Sequence, residues 1–130
     1  MKKINIIKNR TDIGAGTRGS DLGVDAIEIA AINANSDFFN RYGYLDLETA
    51  NEAVYEKQET QYALRVGKVL EVCIRLSNAV KLCLKDENFP LVLSGDHSSA
   101  LGSISGLKCA YPDKRVGVVW IDAHADIHSP

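Results

Sequence analysis

The longest regular pattern in the chain is an apolar stripe within residues 56–85. Apolar side chains recur there at steps of three and four positions, a spacing that places them on one face of a helix. They are Val66, Val69, Leu70, Cys73, Leu76, Val80 and Cys83. A polar run and Pro90 then break the pattern. The stripe predicts an amphipathic helix over residues 56–85 whose apolar face packs against a core.

Short apolar runs predict strands on either side of that helix. Residues 3–7 and 91–93 are two such runs, and the mixed aromatic segment after residue 38 has room for another near residues 44–47. The run at residues 116–121 is apolar without alternation, which is typical of a strand covered on both faces. Polar or glycine-rich sequence between the runs favours loops.

Two further helices are predicted between these runs. One spans residues 24–34, with Asp21 as its N-cap and acidic residues early, where the helix dipole favours anions. The other begins at Ser98 or Ser99, either of which is a suitable N-cap, and ends near residue 110. The strand at residues 91–93, this last helix and the strand at residues 116–121 follow each other in the order of a βαβ unit, which predicts that the two strands are parallel. The predicted fold class is therefore α/β, with a mainly parallel sheet flanked by helices.

The composition is that of an ordinary globular domain. The chain has 130 residues, of which 45% are hydrophobic and 25% charged, and a formal net charge of −2. Such a length and composition are typical of one domain with a buried core. The net charge gives no electrostatic basis for binding nucleic acid or an anionic membrane surface, so we expect neither partner.

Targeting signals and cysteine usage predict a cytoplasmic protein. No apolar run approaches the ~20 residues that a membrane helix needs. Lys8, Asn9 and Arg10 interrupt the first apolar run too early for a signal peptide. The cysteines number three and form no C-x-x-C pair. Free thiols in a reducing compartment are the simplest interpretation.

The candidate chemistry follows the last two predicted strands, where all the histidines lie: His97, His124 and His128. Asp122, His124 and Asp126 alternate with alanines, and alternate residues of an extended segment point to the same side. Their carboxylates would repel each other unless a divalent cation or a proton lay between them. A metal site and a carboxylate with a raised pKa are the two ways to relieve that repulsion.

A parallel sheet would add His97 to this group. Ligand sites in open parallel sheets lie beyond the carboxyl ends of the strands, and His97 follows the predicted strand at residues 91–93. The polar segments at residues 94–98 and 122–126 contain no cysteine. We therefore predict nitrogen and oxygen ligands, which suit Mn, Fe, Co, Ni or a catalytic Zn. Asp96 either caps the next helix or orients a ligand histidine. His128 is a ligand, a substrate contact or a surface residue.

Two motifs resemble the arginase branch of the ureohydrolases. The first is Ser-Gly-Asp-His-Ser at residues 94–98, followed by Leu-Gly-Ser-Ile-Ser-Gly at 101–106. The second is Val-Trp-Ile-Asp-Ala-His-Ala-Asp-Ile-His-Ser-Pro at 119–130. The glycine-rich residues 14–23 look, more loosely, like the early substrate-side loop of that family. The Ile-Ser-Gly and Asp-Ile-x-x-Pro contexts favour arginase over agmatinase or formimidoylglutamase.

The resemblance implies a three-layer fold and a binuclear manganese enzyme that hydrolyses the guanidino group of L-arginine to L-ornithine and urea. His97 would ligate one manganese and His124 the other, and Asp122 would bridge both. Asp126 would ligate the metal on the His97 side and, as a catalytic residue, hydrogen-bond the metal-bridging hydroxide. His128, where arginases often carry Asn, would lie near the α-carboxylate of the substrate. The resemblance also implies a homo-oligomer.

The resemblance further implies that residues 1–130 form a single α/β domain, the N-terminal portion of a longer enzyme that adds ligands from a later Asp-x-Asp pair. Agmatinase or formimidoylglutamase activity is the alternative within the superfamily. A non-catalytic metal-binding or interaction module is the alternative of another class, because the remaining ligands would be missing. A nucleotide-binding domain is disfavoured, because residues 14–23 lack the G-x-G-x-x-G spacing.

Overall fold

The computed structural model describes residues 3–56 and 64–124. Three strands of this part of the chain form one parallel sheet: β1 (Ile4–Asn9), β2 (Gly43–Asp46) and β3 (Phe89–Ser94). The strand order is β2-β1-β3, so β1 is central. Ile6 pairs with Tyr44 on one side and with Leu91 on the other. Because all the strands run the same way, their carboxyl ends meet at one edge of the sheet.

Helices flank this sheet. They are α1 (Gly23–Asn33), α2 (Phe38–Arg41), α3 (Val66–Lys85) and α4 (Ser99–Ala110), with short 3-10 turns at Ser20–Leu22 and Asn51–Tyr55. The predicted α/β class, with a parallel sheet flanked by helices, is confirmed. The three predicted strands near residues 3–7, 44–47 and 91–93 are confirmed as β1, β2 and β3.

The two faces of β1 carry different chemistry. Ile7 packs with Leu76 and Val80 of α3 in the main hydrophobic cluster. Successive strand residues point to opposite faces, so Lys8 points toward α1, where its Nζ lies 2.7 Å from Oε1 of Glu28. The Lys8 side chain is only 4% exposed. A cation buried this deeply needs a partner, and the ion pair ties β1 to α1 across the face opposite α3.

Two glycines let α3 and α4 pack closely. A Cβ atom added at Gly106 would lie 2.6 Å from the carbonyl oxygen of Ser77 and 2.8 Å from Cβ of Val80. One added at Gly102 would lie 2.7 Å from the carbonyl oxygen of Cys73. The spacing of four residues places both glycines on the same face of α4. Backbone therefore meets backbone along this contact, which any larger side chain would prevent.

The long helix begins later than its apolar pattern predicted. The helix was predicted from residue 56, but α3 begins at Val66. Arg65 at its N-cap has a left-handed backbone with φ of 56°, a conformation that cannot continue a helix backward. Glu56 is extended, with ψ of 151°. Residues 57–63 lie outside the described part of the chain.

The predicted helices at residues 24–34 and from Ser98 or Ser99 to 110 are confirmed as α1 and α4, but the predicted Asp21 cap of α1 is wrong. Asp21 lies in a 3-10 turn, where its carboxylate accepts a hydrogen bond from Asn51 Nδ2 at 3.2 Å. Leu22 occupies the N-cap of α1 and makes no side-chain cap. Ser98 occupies the N-cap of α4, as predicted, but its hydroxyl donates to Asp96 and accepts no hydrogen bond from a helix N–H.

The predicted strand at residues 116–121 is also wrong. This segment has no regular secondary structure, and Val119 and Ile121 are 88% and 94% exposed. A strand needs a hydrogen-bonded neighbour, and a fully apolar one needs cover on both faces. None of the described strands pairs with this segment, so β3 and α4 lack the second strand of a βαβ unit within the described residues.

The described helices include none that is both long enough and apolar enough to cross a membrane.

Substituting Gly106 tests the close packing of α3 and α4. Gly106→Ala should lower the free energy of unfolding by about 1–2 kcal/mol, because overpacking outweighs the gain in helix propensity. Gly67→Ala is the matched control, since a Cβ at Gly67 of α3 would meet nothing within 4 Å. The control should be neutral or stabilising. Urea denaturation followed by circular dichroism measures both, and equal effects of the two variants would contradict the packing.

The cysteines should differ in their reactivity. Cys73 and Cys83 are buried free thiols of α3, and Cys109 is an exposed one. Burial raises the pKa of the Cys73 and Cys83 thiols, so less of the reactive thiolate forms at neutral pH. Iodoacetamide should therefore modify Cys109 first, as read by peptide mass spectrometry. All three should react alike in denaturant, and rapid native modification of Cys73 would refute the packing around α3.

Candidate metal centre

The candidate site lies at the carboxyl edge of the sheet, where β1 and β3 end side by side. Asn9 pairs with Ser94 at the last register position. Asn9 Nδ2 donates to the hydroxyls of Ser94 at 3.2 Å and Ser99 at 2.9 Å, and those hydroxyls lie 2.7 Å apart. Asn9 is fully buried. This buried network fixes the first residue of α4 against the ends of both strands.

The segment after β3, residues 95–98, is called here the His97 loop. Its Asp96 carboxylate accepts hydrogen bonds from the backbone N–H and the hydroxyl of Ser98, the former at 3.0 Å. The other oxygen of Asp96 accepts from the backbone N–H of Gly14 at 3.1 Å. Asp96 therefore joins the His97 loop to the loop that follows β1.

The loop that follows β1, residues 12–19, is called here the glycine-rich loop. It is closed at its base by Asp12, whose side chain is fully buried. The Asp12 carboxylate accepts from Arg18 Nη1 at 2.7 Å and from the backbone N–H of Gly19 at 2.9 Å. Arg18 also donates to the carbonyl of Asn51 at 3.2 Å. The hydrogen bonds from the Arg18 guanidinium and the Gly19 N–H therefore compensate for the loss of water around the buried Asp12 carboxylate.

The structure brings His97 to Asp122. The Nδ1 atom of His97 lies 3.6 Å from Oδ2 of Asp122. The same Oδ2 accepts a hydrogen bond from the indole Nε1 of Trp120 at 3.3 Å. The rings of His97 and Trp120 meet edge to face, with centroids 6.0 Å apart. Trp120 thus contacts both residues, even though its segment does not form a strand.

His124 also lies beside Asp122, but the cause differs from the predicted one. Nδ1 of His124 is 3.5 Å from Oδ1 of Asp122, which also accepts from the backbone N–H of His124 at 2.9 Å. The expectation was an extended segment with alternating side chains. The structure has a bend at residues 123–124 instead, because the Asp122 carboxylate bonds the backbone two residues on, as Asp does in turns.

The surroundings of Asp122 favour its ionised form. The backbone N–H of His124 lowers the pKa of the Asp122 carboxyl most, and the indole N–H of Trp120 lowers it further. The neighbouring His124 and His97 act in the same direction through their charge. A carboxyl whose pKa is below its ordinary value is an anion at neutral pH, which is the form that ligates metal ions.

The donor chemistry of this cluster fits a divalent cation, because imidazole nitrogen and carboxylate oxygen are suitable ligands for manganese and its neighbours. The described residues, however, contain no group of three or more His, Cys, Asp or Glu side chains arranged to hold a metal ion. The His97 and His124 side chains are 65% and 82% exposed, against 19% for Asp122. Asp126 and His128 lie outside the described residues. The ligand assignments therefore stay predictions.

Sequence reasoning missed two residues of this edge. Trp120 was assigned only to a buried strand, although an indole N–H two residues before an aspartate is a possible donor to it. Gly14 entered the sequence interpretation only as part of the glycine-rich residues 14–23, as a weak phosphate-binding pattern and a loose resemblance to a substrate-side loop. Its contact with Asp96 joins residues 82 positions apart, and no local sequence signal predicts such a pair.

A family model described as the Arginase family matches residues 2–130 of the chain. Among curated proteins, the arginase of Bacillus caldovelox is 36% identical over 135 residues, covering 99% of this chain and 43% of the relative. The arginase of Staphylococcus aureus strain MRSA252 is 33% identical over 138 residues, with the same 99% and 43% coverage.

Solved structures give the same picture. The native structure of Bacillus caldovelox arginase matches with a TM-score of 0.77 at 32% identity, covering 99% of this chain and 43% of that one. The arginase of Bacillus subtilis strain 168 matches with a TM-score of 0.76 at 33% identity, covering 98% and 42%. The chain thus spans less than half of the length of these relatives. On the family match and these identities, the chain belongs to the arginase family.

Proposed function

We propose that this chain belongs to an arginase-type ureohydrolase that uses manganese to hydrolyse the guanidino group of L-arginine, giving L-ornithine and urea. The observation that carries the proposal is the approach of the His97 and His124 imidazoles to the two oxygens of one carboxylate, Asp122. It is supported by membership of the arginase family and by relatives that are named arginases.

In this proposal His97 and His124 would each hold one manganese ion, and Asp122 would hold both. Asp126 would be a further ligand and the catalytic hydrogen-bond acceptor at the reacting water. When bound, the two cations supply hydroxide at neutral pH by lowering the pKa of water. Overall, the oxygen of water would go to the guanidinium carbon as its bond to the side-chain nitrogen breaks, and the two protons of water would go to that nitrogen, giving urea and the amine of ornithine.

The described residues around Asp122 orient its carboxylate before any ligand arrives. Trp120 Nε1 donates to Oδ2, and the backbone N–H of His124 donates to Oδ1. Each oxygen therefore has a fixed direction, one toward His97 and the other toward His124. Hydrogen bonds that hold a metal-binding side chain in place raise its affinity for the metal, because the side chain loses less conformational entropy when the metal binds.

The substrate side of the proposal rests on less. His128 is proposed as a contact for the α-carboxylate of a small guanidino substrate. Agmatine or formimidoylglutamate is the alternative substrate of the same chemistry. We further propose a cytoplasmic homo-oligomer without nucleic-acid or membrane partners, in keeping with the formal net charge of −2.

A second candidate is a non-catalytic metal-binding or interaction module. It is favoured by the lack of a group of three or more suitable donors in the described residues. Titration of the full-length protein with Mn²⁺ separates the candidates, because a module without the remaining ligands should bind the metal weakly or not at all. Two tight ions per chain would contradict the module.

The substrate assay tests the enzyme proposal directly. The full-length product of the gene that encodes this chain, loaded with Mn²⁺, should release urea from L-arginine in preference to agmatine. Formimidoylglutamate, assayed by its own product, is the third substrate. Preference for agmatine would change the substrate and keep the class. Turnover of none of the three would contradict the enzyme.

A pair of variants tests the bridging role of Asp122. In the full-length, Mn²⁺-loaded protein, Asp122→Asn should lower kcat/KM about tenfold further than His97→Asn, a difference of about 1.4 kcal/mol, because only Asp122 would serve both ions. Asp113→Asn is the matched control, since it makes the same change at an exposed carboxylate. Metal content by mass spectrometry accompanies the kinetics. Mild and equal losses in the two site variants would count against the bridge.

A further inference from the structure

We propose that Asp96 is a positioning residue that holds the glycine-rich loop against the His97 loop and thereby sets how tightly substrate binds. This inference rests on the proposed function for its substrate and deepens it. It also differs from the roles that the sequence suggested for Asp96, which were helix capping and the orientation of a ligand histidine.

The contacts of Asp96 divide between the two loops. Its Oδ1 accepts from the backbone N–H of Ser98 at 3.0 Å and from the Ser98 hydroxyl, so this oxygen shapes its own loop. Its Oδ2 accepts from the backbone N–H of Gly14 at 3.1 Å, so this oxygen reaches across to the loop after β1. Only a group with two acceptor oxygens can serve both loops in this way.

Steric fit at two glycines makes the same junction. A Cβ added at Gly14 would lie 2.6 Å from the hydroxyl oxygen of Ser98 and 3.0 Å from Oδ1 of Asp96. One added at Gly95 would lie 2.3 Å from the carbonyl oxygen of Thr11 and 2.7 Å from the backbone nitrogen of Asp21. The His97 loop therefore meets the glycine-rich loop itself at Gly14, and at Gly95 it meets the backbone on either side of that loop, at Thr11 and Asp21.

The contacts at the base and at the tip of the glycine-rich loop differ: at the tip, Arg65 Nη2 donates to the carbonyl oxygen of Ala15 at 3.4 Å. Asp12 secures the base of the loop through Arg18 and Gly19. At the tip, a Cβ added at Gly16 would meet nothing within 4 Å, and residues 16–20 are exposed. The hydrogen bond from the Gly14 N–H to Asp96 joins the outer arm of this loop to the His97 loop.

The placement of the junction gives it a function. Both loops follow parallel strands at the edge where ligands bind in sheets of this kind. Asp96 precedes His97, whose Nδ1 lies 3.6 Å from Asp122. Through Asp96, the glycine-rich loop is joined to the loop that carries His97. Releasing it should change the space offered to substrate while leaving the ligand side chains in place.

Asp96→Asn isolates the proposed contact. An asparagine has only one acceptor oxygen in its side chain. If that oxygen stays bonded to Ser98, the amide NH₂ group faces the Gly14 N–H, and two donors cannot pair. If the oxygen turns to Gly14 instead, the hydrogen bonds from Ser98 are lost. Gly14→Ala disrupts the same contact sterically, because the added methyl group would clash with the Ser98 hydroxyl. Gly16→Ala adds a methyl group to open space, and Asp113→Asn makes the Asp-to-Asn change at an exposed carboxylate, so these two variants are the matched controls.

The experiment uses the full-length, Mn²⁺-loaded protein, with two readouts. In Asp96→Asn and Gly14→Ala, amide hydrogen exchange of residues 12–19 should quicken about tenfold, because a local contact is lost without global unfolding. KM for arginine should rise about fivefold or more, while kcat and metal content stay within about twofold, since only binding is affected. Both control variants should match the unaltered protein.

Two results would overturn the inference. One is unchanged hydrogen exchange of residues 12–19 in both junction variants. The other is a loss of kcat and manganese with KM unchanged, which would place Asp96 in the orientation of His97. If the unaltered protein turns over no guanidino substrate, the proposed function fails by itself, and the exchange measurement still decides whether Asp96 holds the loop.

Discussion

The parallel pairing of β1 with β3 is the constraint on which the rest of this structure depends. The pairing runs over the whole length of β3, from Phe89 to Ser94. It joins segments more than 80 positions apart and places their following loops at one edge. Burial makes it costly to break: Ile6 and Asn9 of β1 are fully buried, so their backbone groups have no water to replace the ladder.

Polar groups as well as apolar ones hold β1 in this position. Lys8 is buried against Glu28 on one face, while Ile7 packs on α3 on the other. At the end of the strand, Asn9 bonds the hydroxyls of Ser94 and Ser99. Such buried polar pairs add little net stability, but an alternative register would leave them unsatisfied, so they favour one register over its neighbours.

The candidate site shows how far local sequence carries a functional prediction. The sequence placed His97, Asp122 and His124 together on the argument that clusters follow adjacent strands, and the structure brings all three together. The route was partly wrong, since residues 116–121 form no strand and the Asp122–His124 contact comes from a turn. The three residues still lie close together, because the Asp122 carboxylate accepts hydrogen bonds from N–H groups and attracts imidazole rings without needing a strand.

Local sequence patterns determined most of the elements: the apolar periodicity of α3, the short apolar runs of β1 and β3, and the candidate N-cap serines of α4. These depend on residues within one turn or one strand, so the information is local. Tertiary structure decided four other features. They are the start of α3 after the left-handed backbone of Arg65, the lack of a strand at residues 116–121, the close contact of α3 with α4 at Gly106 and the hydrogen bond between Gly14 and Asp96. Each of these depends on what packs against the residue, and a partner distant along the chain leaves no trace in the local pattern.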